Sequence, residues 1–197
     1  LRTSRGLGDV YKRQVKNGFS EVINFPFTAN EEEKSISIDN PLDSNRNNLR
    51  ISLKNSLVEN LLYNERRQKD SIKFFEISDL YTKSDQINQE KKLGIIISGR
   101  QGHNYIDFSK KLDHAYLSKL FCNNSNNSFF TIEEISRTEL KTKKKDKIFY
   151  AEIPIKNIPK HIYKDFESSL DQINFIKYQP VSEFPSSTRD FSFSITD

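Results

Sequence analysis

The sequence holds one cysteine and neither methionine nor tryptophan among its 197 residues. A lone thiol, Cys122, has no partner for an internal disulfide, and no Cys/His spacing of a metal-binding kind accompanies it. Long hydrophobic runs are missing too. None approaches the roughly 18 residues needed to span a bilayer, and no stretch has the order of a signal peptide. A reducing, cytoplasmic setting without membrane contact is the expectation. The Asn-x-Ser tripeptides beginning at Asn123 and Asn126 then read as polar loop, not as sugar acceptors. No internal repeat of any period is present.

A strong charge of one sign is also lacking. The formal charge is +4, and residues 1–14 carry three of those charges through Arg2, Arg5, Lys12 and Arg13 against Asp9. The remainder is nearly neutral, which removes the simplest argument for a polyanion partner. Residues 1–14 (LRTSRGLGDVYKRQ) show no apolar period, and without an initiating methionine they read as a non-native leader to be set aside from fold reasoning.

What is present is aromatic. Fifteen phenylalanines and eight tyrosines stand in a chain that is only 35% hydrophobic and 29% charged. Each buried ring removes a large apolar area from water, so these residues can build a core. The length suits one medium domain, or one domain and the start of another.

Residues 21–27 (EVINFPF) predict a strand that stops near Pro26. Ile36 and Ile38 alternate with polar neighbours, a short half-buried strand. Asn40-Pro41 breaks the chain and residues 43–48 form a turn cluster. Leu53, Leu57, Val58, Leu61 and Leu62 then fall on one helical stripe, with Ser52 as N-cap and residues 65–69 as solvated exit. Residues 72–81 predict a strand, 83–91 a polar turn, and 93–98 (LGIIIS) a central strand buried on both faces. Asp107 is placed to cap a second helix carrying Phe108, Leu112, Ala115, Tyr116 and Leu120 on one face. Residues 122–128 are loop. Residues 129–135 fit either a strand or a helix start. Residues 148–155 alternate as a strand, 158–170 look helical, and 190–195 give a last strand signal that ends with the chain, as a truncation would. Interspersed helices and short-looped strands make the fold class α+β, with a largely antiparallel sheet flanked by helices.

Chemistry is thin. His103, His114 and His161 are widely spaced and form no metal-binding or catalytic pattern. Gly99-Arg100-Gln101-Gly102 follows a strand but lacks the Gly-Lys-Ser/Thr ending of a phosphate loop, so it reads as a tight turn. Cys122 has no basic neighbour to lower its pKa. The basic run from Lys141 to Lys147 is the strongest cationic feature. Clustered lysine can neutralise a nucleic-acid backbone, yet no aromatic residue interleaves to stack bases, and a solvated turn is the plainer reading.

Five stretches, in order, carry a family resemblance. Gly18-Phe19-Ser20-Glu21-Val22-Ile23-Asn24-Phe25-Pro26-Phe27-Thr28 looks like "G-[FY]-x-E-V-[IV]-N-x-x-F". Asn40-Pro41-Leu42 with Leu49-Arg50-Ile51-Ser52-Leu53 looks like "NPL…LR-x-SL", followed by an asparagine at Asn64. Phe74-Phe75-Glu76-Ile77-Ser78-Asp79-Leu80-Tyr81 looks like "LFEIG-x-V[FY]", and residues 105–112 look like "DFFDLKG-x-[VL]". Residues 178–193 look like "Y-x-P-[IV]-S-x-[FY]-P-x-x-x-RD-[LF]", with Thr188 replacing one of a pair of arginines. Together they resemble the β subunits of bacterial phenylalanine–tRNA ligases over residues 15–197. Two departures stand out: Lys54-Asn55-Ser56 interrupts the family's "SLLPGLL", and its "HPGRSA"-type segment is missing between Phe121 and Phe149.

The resemblance implies a class II synthetase-like module over residues 15–176 and the truncated start of a ferredoxin-like anticodon-binding domain over 177–197. In such synthetases motif 1, the equivalent of residues 18–28, supplies a dimer-facing strand. ATP is held by arginines of motifs 2 and 3. Motif 3 is not found here, and Asp79 and Leu80 stand where the motif 2 strand should turn basic. The resemblance therefore implies a non-catalytic module with Arg50 in a structural role and no catalytic, cofactor or metal residue to assign. The whole enzyme would use ATP and Mg, pair the β subunit with an α subunit as α2β2, and act on tRNA-Phe. The editing pocket and its Mg ligands would lie upstream of Gly18. The alternative is a stand-alone RNA-binding module using the run from Lys141 to Lys147.

Overall fold

The computed structural model describes residues 2–29, 31–102, 107, 109–121, 130–140 and 142–158, with 184, 187, 189 and 191–193. The chain divides into compact units 1–167 and 168–197, and every helix and strand among the described residues lies in the first. The elements are α1 (Arg2–Lys16), β1 (Ser20–Glu21), β2 (Phe27–Thr28), β3 (Ile36–Ser37), β4 (Asn48–Leu49), α2 (Lys54–Glu65), β5 (Ser71–Lys83), β6 (Ile87–Gly99), α3 (His114–Phe121), β7 (Ile132–Ile135) and β8 (Ile148–Pro154), then a 3-10 turn, Ile155–Asn157.

The main sheet runs β1-β5-β6-β8-β7. All its pairs are antiparallel except β1, which lies parallel to β5 with Ser20 opposite Phe74. A small antiparallel sheet, β2-β4-β3, sits beside it. The α+β expectation holds for the architecture that is described.

Strand β6 is the spine, and residues 93–98 are buried throughout because β5 and β8 pair with both of its edges. Side-chain alternation then makes two cores. Leu93, Ile95 and Ile97 with Phe75, Phe149, Ala151 and Ile153 face one way, towards Leu112, Leu117 and Phe130. Ile96, Ile72, Ile148 and Tyr150 face the other way, under Leu53, Leu57, Val58 and Leu61 of helix α2. Burying a leucine as fully as Leu57 or Leu61 is worth roughly 1.5–3 kcal/mol. Gly94 makes the close docking of α2 feasible, since a Cβ there would stand 2.9 Å from Leu53 and Leu57 side-chain carbons.

Several boundaries move. The polar turn expected over 83–91 shrinks to a tight hairpin loop, with Lys83 already paired to Ile87 and Ser84 bonded to the Gln86 carbonyl. Of residues 129–135, Ile132–Ile135 settle as strand β7, and residue 129 lies outside the described residues. The strand expected over 21–27 divides: its ends join β5 and β4 in different sheets and the middle crosses between them. The second helix does not start at Asp107. The Leu112 amide donates to the Gly99 carbonyl, which holds residues 109–112 against the sheet end. Asp113 is the cap instead, accepting from the Tyr116 amide at 2.8 Å. Leu117 is the buried anchor of α3, and Ala115 is exposed.

Residues set aside as leader are wound into α1, where Val10 and Gln14 are buried and Tyr11 meets the Phe75 ring edge-on. So few covered positions leave no apolar period to read in the sequence. The helix expected over 158–170 lies outside the described residues apart from Ile158. The strand expected over 190–195 lies outside them apart from 191–193, which carry no regular structure.

Candidate functional site

The segment between β1 and β2 has two unlike sides. Val22, Asn24, Pro26 and Thr28 are half-buried, whereas Ile23, Phe25 and Phe27 point outward with 90%, 71% and 38% of their surface exposed. One edge of the backbone is paired: the Val22 amide donates to the Phe75 carbonyl, and Pro26 accepts from the Arg50 amide, both at 2.9 Å. β1 and β2 are each the last described strand of their sheet, so among the described residues no strand lies along their other edge. An apolar stripe on an open edge is the signature of a protein-binding surface. Leu42, in the loop joining β3 to β4, is also fully exposed.

A buried polar network fixes the inward side. Asn24 donates to Glu76 Oε2 at 2.9 Å and accepts from Asn60 of helix α2 at 2.7 Å. Arg50 pairs in bidentate fashion with Glu76 and donates to Ser56 Oγ at 2.9 Å. Arg50 and Glu76 are both almost wholly buried, which makes this pair sensitive to loss of either partner. Arg50 is thus held by a carboxylate.

A second network starts helix α2. Ser52 was the expected N-cap; the helix begins one residue later, after Leu53, yet the Ser52 hydroxyl does accept from the Lys54 amide at 3.1 Å. A strand carboxylate adds to it: Glu152 on β8 accepts from the Leu53 amide at 2.8 Å, from Ser52 Oγ at 2.9 Å and from the Tyr150 hydroxyl at 2.6 Å, and pairs with Lys92 at 2.8 Å. Burial alone would raise the Glu152 pKa. The bonds from Lys92, Tyr150 and Leu53 outweigh it and hold the carboxyl below its ordinary range. Burial, followed by the Glu152 charge, pushes Tyr150 upward, so its hydroxyl stays a donor. At the far end of α2, Glu65 receives two bonds from Arg137, at 2.7 and 2.8 Å, and Arg137 also reaches Ser98.

None of Asn24, Asn60, Glu65, Glu76, Arg137 and Glu152 was singled out from sequence. The signal was available for two of them, since Glu76 and Glu152 each interrupt an apolar strand at an inward register position.

The remaining candidates stay apart. Asp79 pairs across the hairpin with Lys91 at 2.8 Å, and its neighbour Leu80 is buried. Gly99 has φ +90, and a Cβ there would collide with the Asp70 carbonyl; it ends β6, and Arg100 continues as a bridge to Lys111, so the tight turn expected over 99–102 is not formed within these residues. The amides of Arg100 and Gln101 are engaged by the carbonyls of Asp70 and Lys110. His114 opens α3 beside Ser118 and Phe149. His103, His161 and Cys122 lie outside the described residues. Among the described residues no group of three or more His, Cys, Asp or Glu is placed to hold a metal, and no helix is long and apolar enough to cross a membrane.

The sequence model of the phenylalanyl tRNA synthetase beta chain CLM domain matches residues 5–130. The chain belongs to that family. Curated relatives include phenylalanine–tRNA ligase beta subunits of Blochmanniella floridana (27% identical, covering 52% of this chain and 14% of that protein), Coxiella burnetii (26%, covering 90% and 26%) and Wigglesworthia glossinidia brevipalpis (24%, covering 97% and 28%). The chain therefore spans about a seventh to a quarter of their lengths. Among solved structures, a pyrrolysyl-tRNA synthetase of Desulfitobacterium hafniense aligns with a TM-score of 0.57 at 14% identity, over 78% of this chain and 67% of that one. At that identity the likeness is one of fold: the chain shares the fold of that pyrrolysyl-tRNA synthetase.

Proposed function

We propose that the chain is a non-catalytic structural module of a phenylalanine–tRNA ligase β subunit, and that it packs against the α subunit through Ile23, Phe25 and Phe27. The observation that carries this is an apolar stripe on an open sheet edge, held rigid from behind by the Asn24–Glu76–Arg50 network. Preorganisation of that kind reduces what association costs. In this reading ATP and Mg serve the whole cytoplasmic enzyme, an α2β2 assembly acting on tRNA-Phe, and this chain binds neither. The two arginines most firmly set under helix α2, Arg50 and Arg137, are both occupied by carboxylates, which supports a site without phosphate chemistry.

Residues 15–176 constitute the module in this proposal and residues 177–197 begin an anticodon-binding domain; residues 1–14, read as a leader from the sequence, supply most of helix α1, and the family match begins within them at residue 5. Comparison with the chromosomal reading frame tests the point about residues 1–14, because a helix can dock on an apolar sheet without belonging to it. Co-expression of the complete gene with an α subunit tests the main one. Co-purification and no ATP–pyrophosphate exchange by this chain alone are expected. Exchange by the chain alone would sink the non-catalytic reading.

The second reading, RNA binding by the run from Lys141 to Lys147, draws on the exposed cations there. Against it, Lys147 pairs with Glu134 at 3.0 Å and Lys144 bonds the Lys69 carbonyl at 2.6 Å. Salt-sensitive tRNA binding lost on neutralising Lys143 to Lys145 would favour it.

A further inference from the structure

A pocket of about 250 Å³ opens between the end of helix α2 and the lysine segment. Leu62 and Leu140 give it apolar walls, Thr142 contributes a hydroxyl, and Arg66, Lys143 and Lys144 supply cations. The carboxylate that also lines it, Glu65, has both oxygens taken by Arg137. Lys144 donates to the neutral Lys69 carbonyl, so its charge is not cancelled. The helix end presents no competing negative pole, because the carbonyls of Leu62, Asn64 and Glu65 accept backbone amides of residues 66–69. The pocket thus combines apolar walls with uncompensated positive charge.

We propose that this pocket docks an acidic peptide segment, seating one Leu- or Phe-sized side chain between Leu62 and Leu140 while flanking carboxylates meet Arg66, Lys143 and Lys144. Charge complementarity selects an anionic occupant and the leucines require an apolar one. RNA satisfies the first demand only: the described lining has no aromatic ring on which a base could stack. The site is separate from the Ile23–Phe27 edge and does not depend on how that edge is used.

Fluorescence anisotropy with the full chain tests the proposal. The probes are a labelled peptide EEDLFEED, its apolar-free counterpart EEDSSEED, and an oligouridine of equal length. EEDLFEED binds, EEDSSEED binds about tenfold more weakly, and added salt weakens both. Lys143→Glu, on an exposed position, lowers EEDLFEED affinity by about tenfold, and Arg66→Glu does the same, with circular dichroism unchanged. Equal binding of the two peptides removes the apolar subsite and overturns the proposal. So does tighter binding of oligouridine, which would assign the pocket to RNA, and so does absence of peptide binding.

Discussion

Residues 22–28 and residues 142–147 both lie on the surface beside helix α2, and they are opposites. The first segment is apolar outside and hydrogen-bonded inside: Ile23, Phe25 and Phe27 face away while Asn24 is tied to Glu76 and Asn60. The second is cationic and only partly ion-paired: Lys147 meets Glu134 and Asp146 meets Lys111, while Lys144 bonds only a neutral carbonyl. An exposed ion pair of that kind contributes about 0–1 kcal/mol and weakens with salt. A buried carboxylate bridging strand, helix and crossing segment is of another order. The difference teaches where a surface can be preorganised. Rigidity comes from what lies behind the outward residues: the buried Arg50–Glu76 pair, tied to Asn24, stands behind the first segment, while the second is held at the Asp146 carbonyl by Arg137, which is itself bonded to Glu65.

The strongest way to break the contrast is to remove that backing. Arg50→Met leaves Glu76 buried without its cation, and losing one partner of a buried pair costs about 3–5 kcal/mol. Urea unfolding should show the unfolding free energy fall by that amount, and amide exchange in residues 22–25 should accelerate. Arg50→Met with Glu76→Leu should recover much of the loss, because no orphaned charge remains. A single-variant cost under about 1 kcal/mol would place the anchor elsewhere.

Gly94→Ala comes next. The new methyl meets Leu53 and Leu57 at 2.9 Å, and overpacking of a tight core costs about 1–3 kcal/mol. Because it lifts α2 off the sheet without touching a charge, it separates docking of the helix from the ion pair. Thermal unfolding of this variant beside Gly94→Ser checks the steric cause, since the larger side chain should fare worse.

Glu152→Gln is milder, about 1–2 kcal/mol near neutral pH, because the amide oxygen still accepts from Leu53 while the charged bond to Lys92 is lost. Its diagnostic is pH. The folded pKa of Glu152 lies below its unfolded value, so its contribution is present above the unfolded pKa, near 4.3. That contribution is lost as pH falls through the folded pKa. Unfolding free energies measured from pH 6 downward should therefore decline less steeply for the variant than for the parent chain. Parallel curves would mean that the carboxyl is not held charged by the fold.

These contacts also mark what the sequence could disclose. The stripe of Leu53, Leu57 and Leu61 and the apolar run at 93–98 announce themselves, because periodicity is local and both segments are buried along their whole length. Phe74 to Tyr81 and Gly18 to Thr28 carry enough of the family pattern to point to a synthetase-like sheet. Glu152 as helix cap was not legible in the same way. It lies about a hundred residues from Leu53, and the local rule pointed to Ser52. Asp107 misled for a related reason: a good capping residue stands there, but the Gly99 carbonyl claims the Leu112 amide. The two sides of residues 22–28 were half legible. Alternation of Val22, Ile23, Asn24 and Phe25 shows that two sides exist, while which one is inward depends on Glu76 and Asn60.

The smallest expected effect on stability falls on the edge itself, where it is the most informative. Ile23→Ser with Phe25→Ser removes two largely exposed side chains, so unfolding should change by within about 0.5 kcal/mol. Partner capture should respond in the opposite sense. If the stripe docks the α subunit, the complete β subunit carrying both substitutions loses co-purification, because truncating a pair of buried anchors in an interface removes much of its binding energy. Glu21→Ser, an exposed polar change on the same edge, should leave capture intact. Retained capture by the double variant would move the interface off this edge. A stability loss comparable to that of Arg50→Met would show that Ile23 and Phe25 are part of the core, and the contrast between outward and inward sides would fail.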